Sequence, residues 1–221
     1  MRVIVALLLC AAGLLLGSGQ AWAQRHKKKN LIALAAVCFA AISLPTFALA
    51  QDFQSLGFLP GGASSSPNGV SADGSVVVGI SPDANGQAFR WTQSGGMTGL
   101  GLLPGGSYSN ATAVSADGSV VVGFGTSTNA GGNYETFRWV FTGAGPTLGT
   151  MTGLGFLPGG TYSFGSAVNA DGSVVVGDGN STNAGGGNNN EAFRWFGSTM
   201  TGLGFLPGKT ASFAAGVSAD G

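Results

Sequence analysis

The chain predicts an all-β fold of four-stranded repeat units, an incomplete β-propeller preceded by N-terminal export helices. Three observations carry that prediction. One nine-residue phrase recurs: Ser-Ala-Asp-Gly-Ser-Val-Val-Val-Gly at 71–79 and 115–123, with Asn-Ala-Asp-Gly-Ser-Val-Val-Val-Gly at 169–177 and Ser-Ala-Asp-Gly at 218–221. Around it each unit repeats other short apolar segments in the same order, at a period that suits a propeller blade. Asp-Gly between apolar stretches is a hairpin signal, and valine triplets are stiff, strand-favouring runs.

The first fifty residues stand apart. Residues 1–24 have a basic start, an apolar run over 3–16 and the small-x-small ending Ala21-Trp22-Ala23 before Gln24, the form of a secretory signal peptide. Residues 25–50 repeat that form, with a basic stretch over 25–29, an apolar core over 31–44, and Ala48-Leu49-Ala50 before Gln51. The candidate cleavage sites are thus Ala23/Gln24 and Ala50/Gln51. A misplaced start, with the second segment as the working signal, explains the tandem best. The competing account is a helical hairpin with a cytoplasmic basic loop. Both apolar runs fall short of the ~20 residues of a spanning helix, and Pro45 interrupts the second. Cys10 follows the bulky Leu9, a poor lipoprotein site.

Export removes most of the positive charge. Five of nine basic residues lie in 1–50 and all nine acids beyond it, so 51–221 keeps four basic residues and a net charge of −5. Such a chain lacks the basic footprint of a nucleic-acid binder. Cys10 and Cys38 and the single histidine, His26, also lie in the export segments. The remainder offers no disulfide, no Cys/His zinc set and no Ser/His/Asp triad. No cofactor is expected.

Residues 51–221 read as three full units and a partial fourth. Pro60, Pro104, Pro158 and Pro207 are 44, 54 and 49 residues apart, and Asp73, Asp117, Asp171 and Asp220 show the same three intervals. The stretch from proline to aspartate is therefore fixed. Length varies in the Asn/Gly/Ser/Thr-rich loops 80–88, 124–136 and 178–192 and in an extra segment, 140–150, as a scaffold with tolerant surface connections would show.

Each unit offers four strands: the residues before Ala-Asp-Gly, the valine triplet, the Phe-Arg-Trp segment, and Met-Thr-Gly-Leu-Gly. The triplets predict strands buried on both faces, as in stacked blades. Residues 53–57 align with 97–101, so this part opens on the last strand of a unit. A closed propeller takes about 4–8 blades, which marks the chain as part of a longer protein. The structural alternative is a β-solenoid with two rungs per unit.

The recurrent residues are expected to be structural. Asp73-Gly74, Asp117-Gly118 and Asp171-Gly172 should bond their own turns. Phe89/Trp91, Phe137/Trp139 and Phe193/Trp195 should form inter-blade core rather than sugar platforms, with Met97, Met151 and Met200 as filler. Arg90, Arg138 and Arg194 should pair with a carboxylate or stack on a Trp face. Residues 178–182 resemble the start of a calcium loop, but its twelfth position is Asn189 and Glu191 comes two residues late. The glycines at 185–187 lack the setting of a phosphate cradle.

With Leu-Pro-Gly-Gly, the Asp-Gly-Ser-Val-Val-Val-Gly phrase, Ala-Phe-Arg-Trp and Met-Thr-Gly-Leu-Gly in fixed order over 53–221, the chain resembles the bacterial extracellular HAF-repeat family. The family's histidine position holds Gln87, Glu135 and Glu191 here, and Thr136 stands once for its alanine, so no role for a histidine ring carries over. The resemblance implies an exported protein, often the passenger of a larger protein with a C-terminal autotransporter barrel, and implies no particular reaction. The expected function is a non-catalytic scaffold or adhesion module at a bacterial extracellular or outer-membrane surface, touching an unidentified surface or glycan through the variable loops. Membrane contact would come only from the export signals or a barrel beyond residue 221. The alternative is a glycan-acting propeller enzyme with its catalytic acids outside this stretch.

Overall fold

In the computed structural model the described residues are 54–82, 86–143, 148–183 and 189–221. They form twelve strands: β1 (Ser66–Val70), β2 (Val76–Ser81), β3 (Gln87–Thr92), β4 (Gly96–Gly99), β5 (Ser109–Val114), β6 (Val120–Thr126), β7 (Tyr134–Phe141), β8 (Gly149–Gly153), β9 (Ser163–Val168), β10 (Val174–Asn180), β11 (Asn190–Phe196) and β12 (Thr199–Gly202). Hydrogen bonding sorts them into three four-stranded sheets, β1–β4, β5–β8 and β9–β12, each in sequence order and antiparallel between neighbours. These are three consecutive blades of an incomplete β-propeller.

The valine triplets show why the sheets stack. Successive side chains of a strand point to opposite faces. Val76 and Val78 of blade 1 share a buried cluster with Val121, Phe137 and Trp139 of blade 2. Val120 and Val122, on the other face of blade 2, pack with Val175 and Trp195 of blade 3. All three valines of blades 2 and 3 are buried, whereas Val77, on the outer face of blade 1, is half-buried.

The glycine closing each triplet has its own steric cause. The partner inner strand bulges beside Gly79, Gly123 and Gly177. A Cβ on Gly123 would lie 1.9 Å from the Asn110 carbonyl oxygen, and one on Gly177 2.0 Å from that of Phe164. Only glycine lets the bulged strand approach this closely.

Two expected strands are not formed. Gln54–Gly57, with Phe53 outside the described residues, is not extended into a ladder, and neither is the stretch before Ser218. Each is one side of a blade whose hydrogen-bonding partners are absent from the described residues, and a strand needs a partner. The variable loops are also shorter than their sequence ranges. The flanking strands continue into them, reaching Ser81, Thr126 and Asn180 on one side and starting from Gln87, Tyr134 and Asn190 on the other.

Candidate functional site

The meander gives the blades two chemically distinct ends. The Asp-Gly hairpins and the β3–β4-type turns lie at one end; the variable loops and Leu-Pro-Gly-Gly connectors lie at the other.

At the turn end the recurrent aspartates are consumed by their own hairpins. The Asp73 carboxylate accepts from the Ser71 hydroxyl at 2.7 Å, the Ser75 hydroxyl at 2.8 Å and the Ser75 backbone N–H at 3.0 Å. Asp117 repeats the set with Ser115 and Ser119 at the same distances. Asn169 replaces the first serine in the third copy: its side-chain oxygen accepts from the Val174 N–H at 2.9 Å, and Asp171 takes the Ser173 N–H at 2.9 Å. These donors favour the charged carboxylate. The Ser71 hydroxyl foremost holds Asp73 at about 2, and Asp117, Asp171 and Asp220 are lowered for the same kind of reason. Gly74, Gly118 and Gly172 have φ of 74°, 72° and 76°, the left-handed region in which glycine is free of Cβ strain.

Each turn also fastens its neighbour. The Ala72 N–H donates to the Ala116 carbonyl at 3.1 Å, Ala116 to Ala170 at 3.0 Å, and Ala170 to Ala219 at 3.1 Å. The arginines add a second tie. Arg90 Nε donates to the Gly118 carbonyl at 3.2 Å and Arg138 Nε to that of Gly172 at 2.9 Å. The guanidiniums of Arg90 and Arg138 emerge over the next blade's turn, where each bonds a carbonyl, and Arg138 also feels the charge of Asp171 there. Where a guanidinium does stack, the ring is a phenylalanine: Arg90 lies 4.9 Å from the Phe141 centroid and Arg194 5.0 Å from that of Phe196. Arg90, Trp91, Gln54 and Asp117 also border a turn-end cleft of about 610 Å³.

The aromatic pairs face the blade before their own. Phe89, Phe137, Phe193 and Trp139 are fully buried; Trp91 and Trp195 are half-buried. Trp91 shares the outer face of blade 1 with Val77, its cross-strand partner, where no preceding blade lies among the described residues. The candidate cleavage residues Ala23, Gln24, Ala50 and Gln51 lie outside the described residues.

The loop end holds groups that sequence reasoning passed over. Glu135 and Glu191, at the family's histidine position, are 3 % and 1 % exposed. Glu135 accepts from the Ser127 hydroxyl at 2.6 Å, the Asn129 amide at 3.0 Å and the Gly155 N–H at 3.1 Å. Glu191 accepts from Ser181 and from the Gly204 N–H at 3.0 Å. Each thus ties a variable loop to the connector leaving its own blade. Gly153 and Gly202 make the room, since a Cβ there would stand 2.3 Å from the glutamate oxygen. A serine peg recurs as well: Ser109, Ser163 and Ser212 each accept the N–H of Ala88, Thr136 or Ala192 on the blade before.

Five rings cluster beside these anchors. Tyr108, Phe124, Tyr134, Phe164 and Tyr162 are linked ring to ring at centroid separations of 5.0–6.3 Å. Tyr134 is 38 % exposed and the others are half-buried. A polar chain borders them: the Tyr162 hydroxyl donates to the Asn190 side-chain oxygen at 2.6 Å, and the Asn190 amide donates to Asp178 at 2.6 Å. Burial raises the Asp178 carboxyl, and burial together with the neighbouring Asp178 charge raises the Tyr162 hydroxyl. Asp178 is therefore held within strand β10 and faces Asn190. Among the described residues no three His, Cys, Asp or Glu side chains come together as a metal site. The sequence signal for the ring cluster is its absence from blade 1, which holds Ser64, Ile80 and Gly86 where blade 2 has Tyr108, Phe124 and Tyr134; of these three, only Tyr108 recurs in blade 3, as Tyr162.

No family model matches the chain, and no curated protein matches it. Similar solved structures include TolB from Acinetobacter baumannii, at 16 % identity and a TM-score of 0.47 over 65 % of this chain and 33 % of that one. A protein assigned as TolB from Agrobacterium tumefaciens matches at 16 % identity and a TM-score of 0.43 over 65 % of this chain and 47 % of that one. The chain thus spans less than half the length of either.

Proposed function

We propose that the chain belongs to an exported, non-catalytic propeller repeat protein, a scaffold or adhesion passenger of a larger autotransporter-type protein on a bacterial surface. The observation that carries this reading is the division of labour between the two ends. At the turn end the recurrent polar groups are spent on hairpins and inter-blade ties: the aspartates in their own turns, the arginines on Gly118 and Gly172. At the loop end the buried glutamates are bound to loop and connector, so they anchor surface loops rather than face a reactant. Variation in length and composition is concentrated in those loops, which is where a scaffold presents its contacts. The tandem signal-like segments and the HAF-repeat resemblance support export.

The test is to express the full reading frame with its flanking sequence in a Gram-negative host, map the mature N-terminus and treat intact cells with protease. Processing before Gln51 and digestion from outside are the expected results. An unprocessed, protease-protected cytoplasmic product overturns the reading.

A further inference from the structure

We propose that the ring cluster of blades 2 and 3 is a binding site for a neutral β-linked glucosyl or N-acetylglucosaminyl chain, with Tyr134 as its exposed stacking residue. This rests on the loop end being the contact face. It gives that face a ligand class.

Three observations lead here. The rings belong to neither buried cluster of the blade interfaces, which are built from the valine triplets, the tryptophans and Phe137. The equivalent interface between blades 1 and 2 keeps one tyrosine, Tyr108 at the position of Tyr162, but has Ile80, Gly86 and Asn110 at the positions of Phe124, Tyr134 and Phe164. Blade stacking therefore does not require aromatic rings at these last three positions. Beside the rings stand polar side chains: Asn110, which accepts from the Asn68 amide at 2.9 Å, and the Tyr162–Asn190–Asp178 chain.

The chemistry of the patch selects the ligand. Aromatic rings carry a negative face and accept polarised C–H groups, while tyrosine presents an apolar body and a polar tip. A pyranose with equatorial hydroxyls has the complementary form, with C–H groups on its faces and hydroxyls at its rim. Arg90 and Arg138 are tied to carbonyls at the turn end, whereas the carboxyl group of Asp178 borders the rings, so an anionic polysaccharide would meet repulsion there. A small number of polar groups around an apolar platform fixes orientation without demanding tight binding.

The test is titration calorimetry of the purified full chain with cellohexaose and with chitohexaose, using polygalacturonate as the anionic control. Binding of at least one hexasaccharide and none of polygalacturonate is expected. Tyr134→Ala should weaken it about tenfold, the upper range of one aromatic contact, while Tyr134→Phe stays within about twofold. Ile80→Ala, at the place in blade 1 that Phe124 holds in blade 2, should leave affinity unchanged. Tyr134→Ala also loses ring contacts with Tyr108, Phe124 and Phe164, so its urea midpoint should fall, and its titration is run under conditions where the urea curve shows it folded. Tyr134→Phe keeps those contacts and should keep the parent midpoint. Absence of binding by both hexasaccharides, or binding indifferent to Tyr134→Ala, overturns the site. Either result leaves the export and surface-protease experiment untouched, so failure of the site and failure of the surface reading are separable.

Discussion

Residues 71–79 and 115–123 are the same nine amino acids in two different settings. Their hairpins are superimposable in chemistry: serine to aspartate at 2.7 Å in both, aspartate to the following backbone N–H at 3.0 Å in both. Their packing differs. Gly118 is buried against Val76 of blade 1, and Val121 is fully buried, whereas Gly74 is exposed and Val77 half-buried. Local sequence therefore sets the turn. The neighbouring blade sets what that turn is worth.

Paired substitutions should separate the covered setting from the uncovered one. The largest effect is expected from the tryptophans. Trp139→Ala empties a fully buried site and should cost about 3–5 kcal/mol, whereas Trp91→Ala, on the open face, should cost no more than about 2 kcal/mol. Urea unfolding of both variants reads the difference, and equal losses would show that blade 1 is covered as well as blade 2.

The glycines come next. Gly74→Ala introduces only left-handed strain, about 1–2 kcal/mol. Gly118→Ala adds a Cβ 2.4 Å from a Val76 methyl, and that overpacking should contribute about 1–3 kcal/mol more. The shift in thermal midpoint should be clearly larger for Gly118→Ala. Equal shifts would remove the inter-blade contact from the account.

A smaller effect is expected at the arginines. Arg138→Lys loses the Nε bond to Gly172, a loss of about 1 kcal/mol. Arg194→Lys, whose guanidinium stacks on the exposed Phe196 ring, should stay within about 0.5 kcal/mol. Denaturant midpoints compare the two.

The subtlest difference is in pH dependence. Asp73, Asp117 and Asp171 have folded-state values below that of the unfolded chain. Their stabilisation is complete above the unfolded value, about 4, and is lost as pH falls through the folded one, about 2 for Asp73. Stability should therefore decline from pH 4 toward pH 2. Asp73→Asn and Asp117→Asn should each flatten that decline to a similar degree, because the two turns are chemically alike. A flattening confined to one turn would mean that the neighbouring blade, not the serines, sets the carboxylate.

Much of the fold was legible because the repeat aligns four independent signals. Asp-Gly marks the hairpin, the valine triplet a strand buried on both faces, Phe-Arg-Trp the third strand, and Met-Thr-Gly-Leu-Gly the fourth. Each is local, and each was written three times. Less of the site was legible. The arginines were expected to meet a carboxylate or a tryptophan; Arg90 and Arg138 bond a backbone carbonyl, which no residue type announces, and Arg194 stacks on Phe196. Glu135 and Glu191 read as departures from a family pattern, and only the fold shows Gly153 and Gly202 opening space for them and Ser127 and Ser181 bonding them. The ring cluster joins residues 108, 124, 134, 162 and 164, of which the repeat relates only 108 and 162.

By itself, then, the amino-acid order determined the secondary structure of each blade and the geometry of each turn. Those depend on φ > 0 at glycine, on β-branching and on hydrogen bonds spanning two to five residues. Only the tertiary structure decided which face of Val77 or Val121 is covered, which carbonyl takes Arg90 or Arg138, and which aromatic rings meet across blades. Those outcomes depend on blade stacking, where hydrogen-bond partners come from chain 20 to 53 residues away.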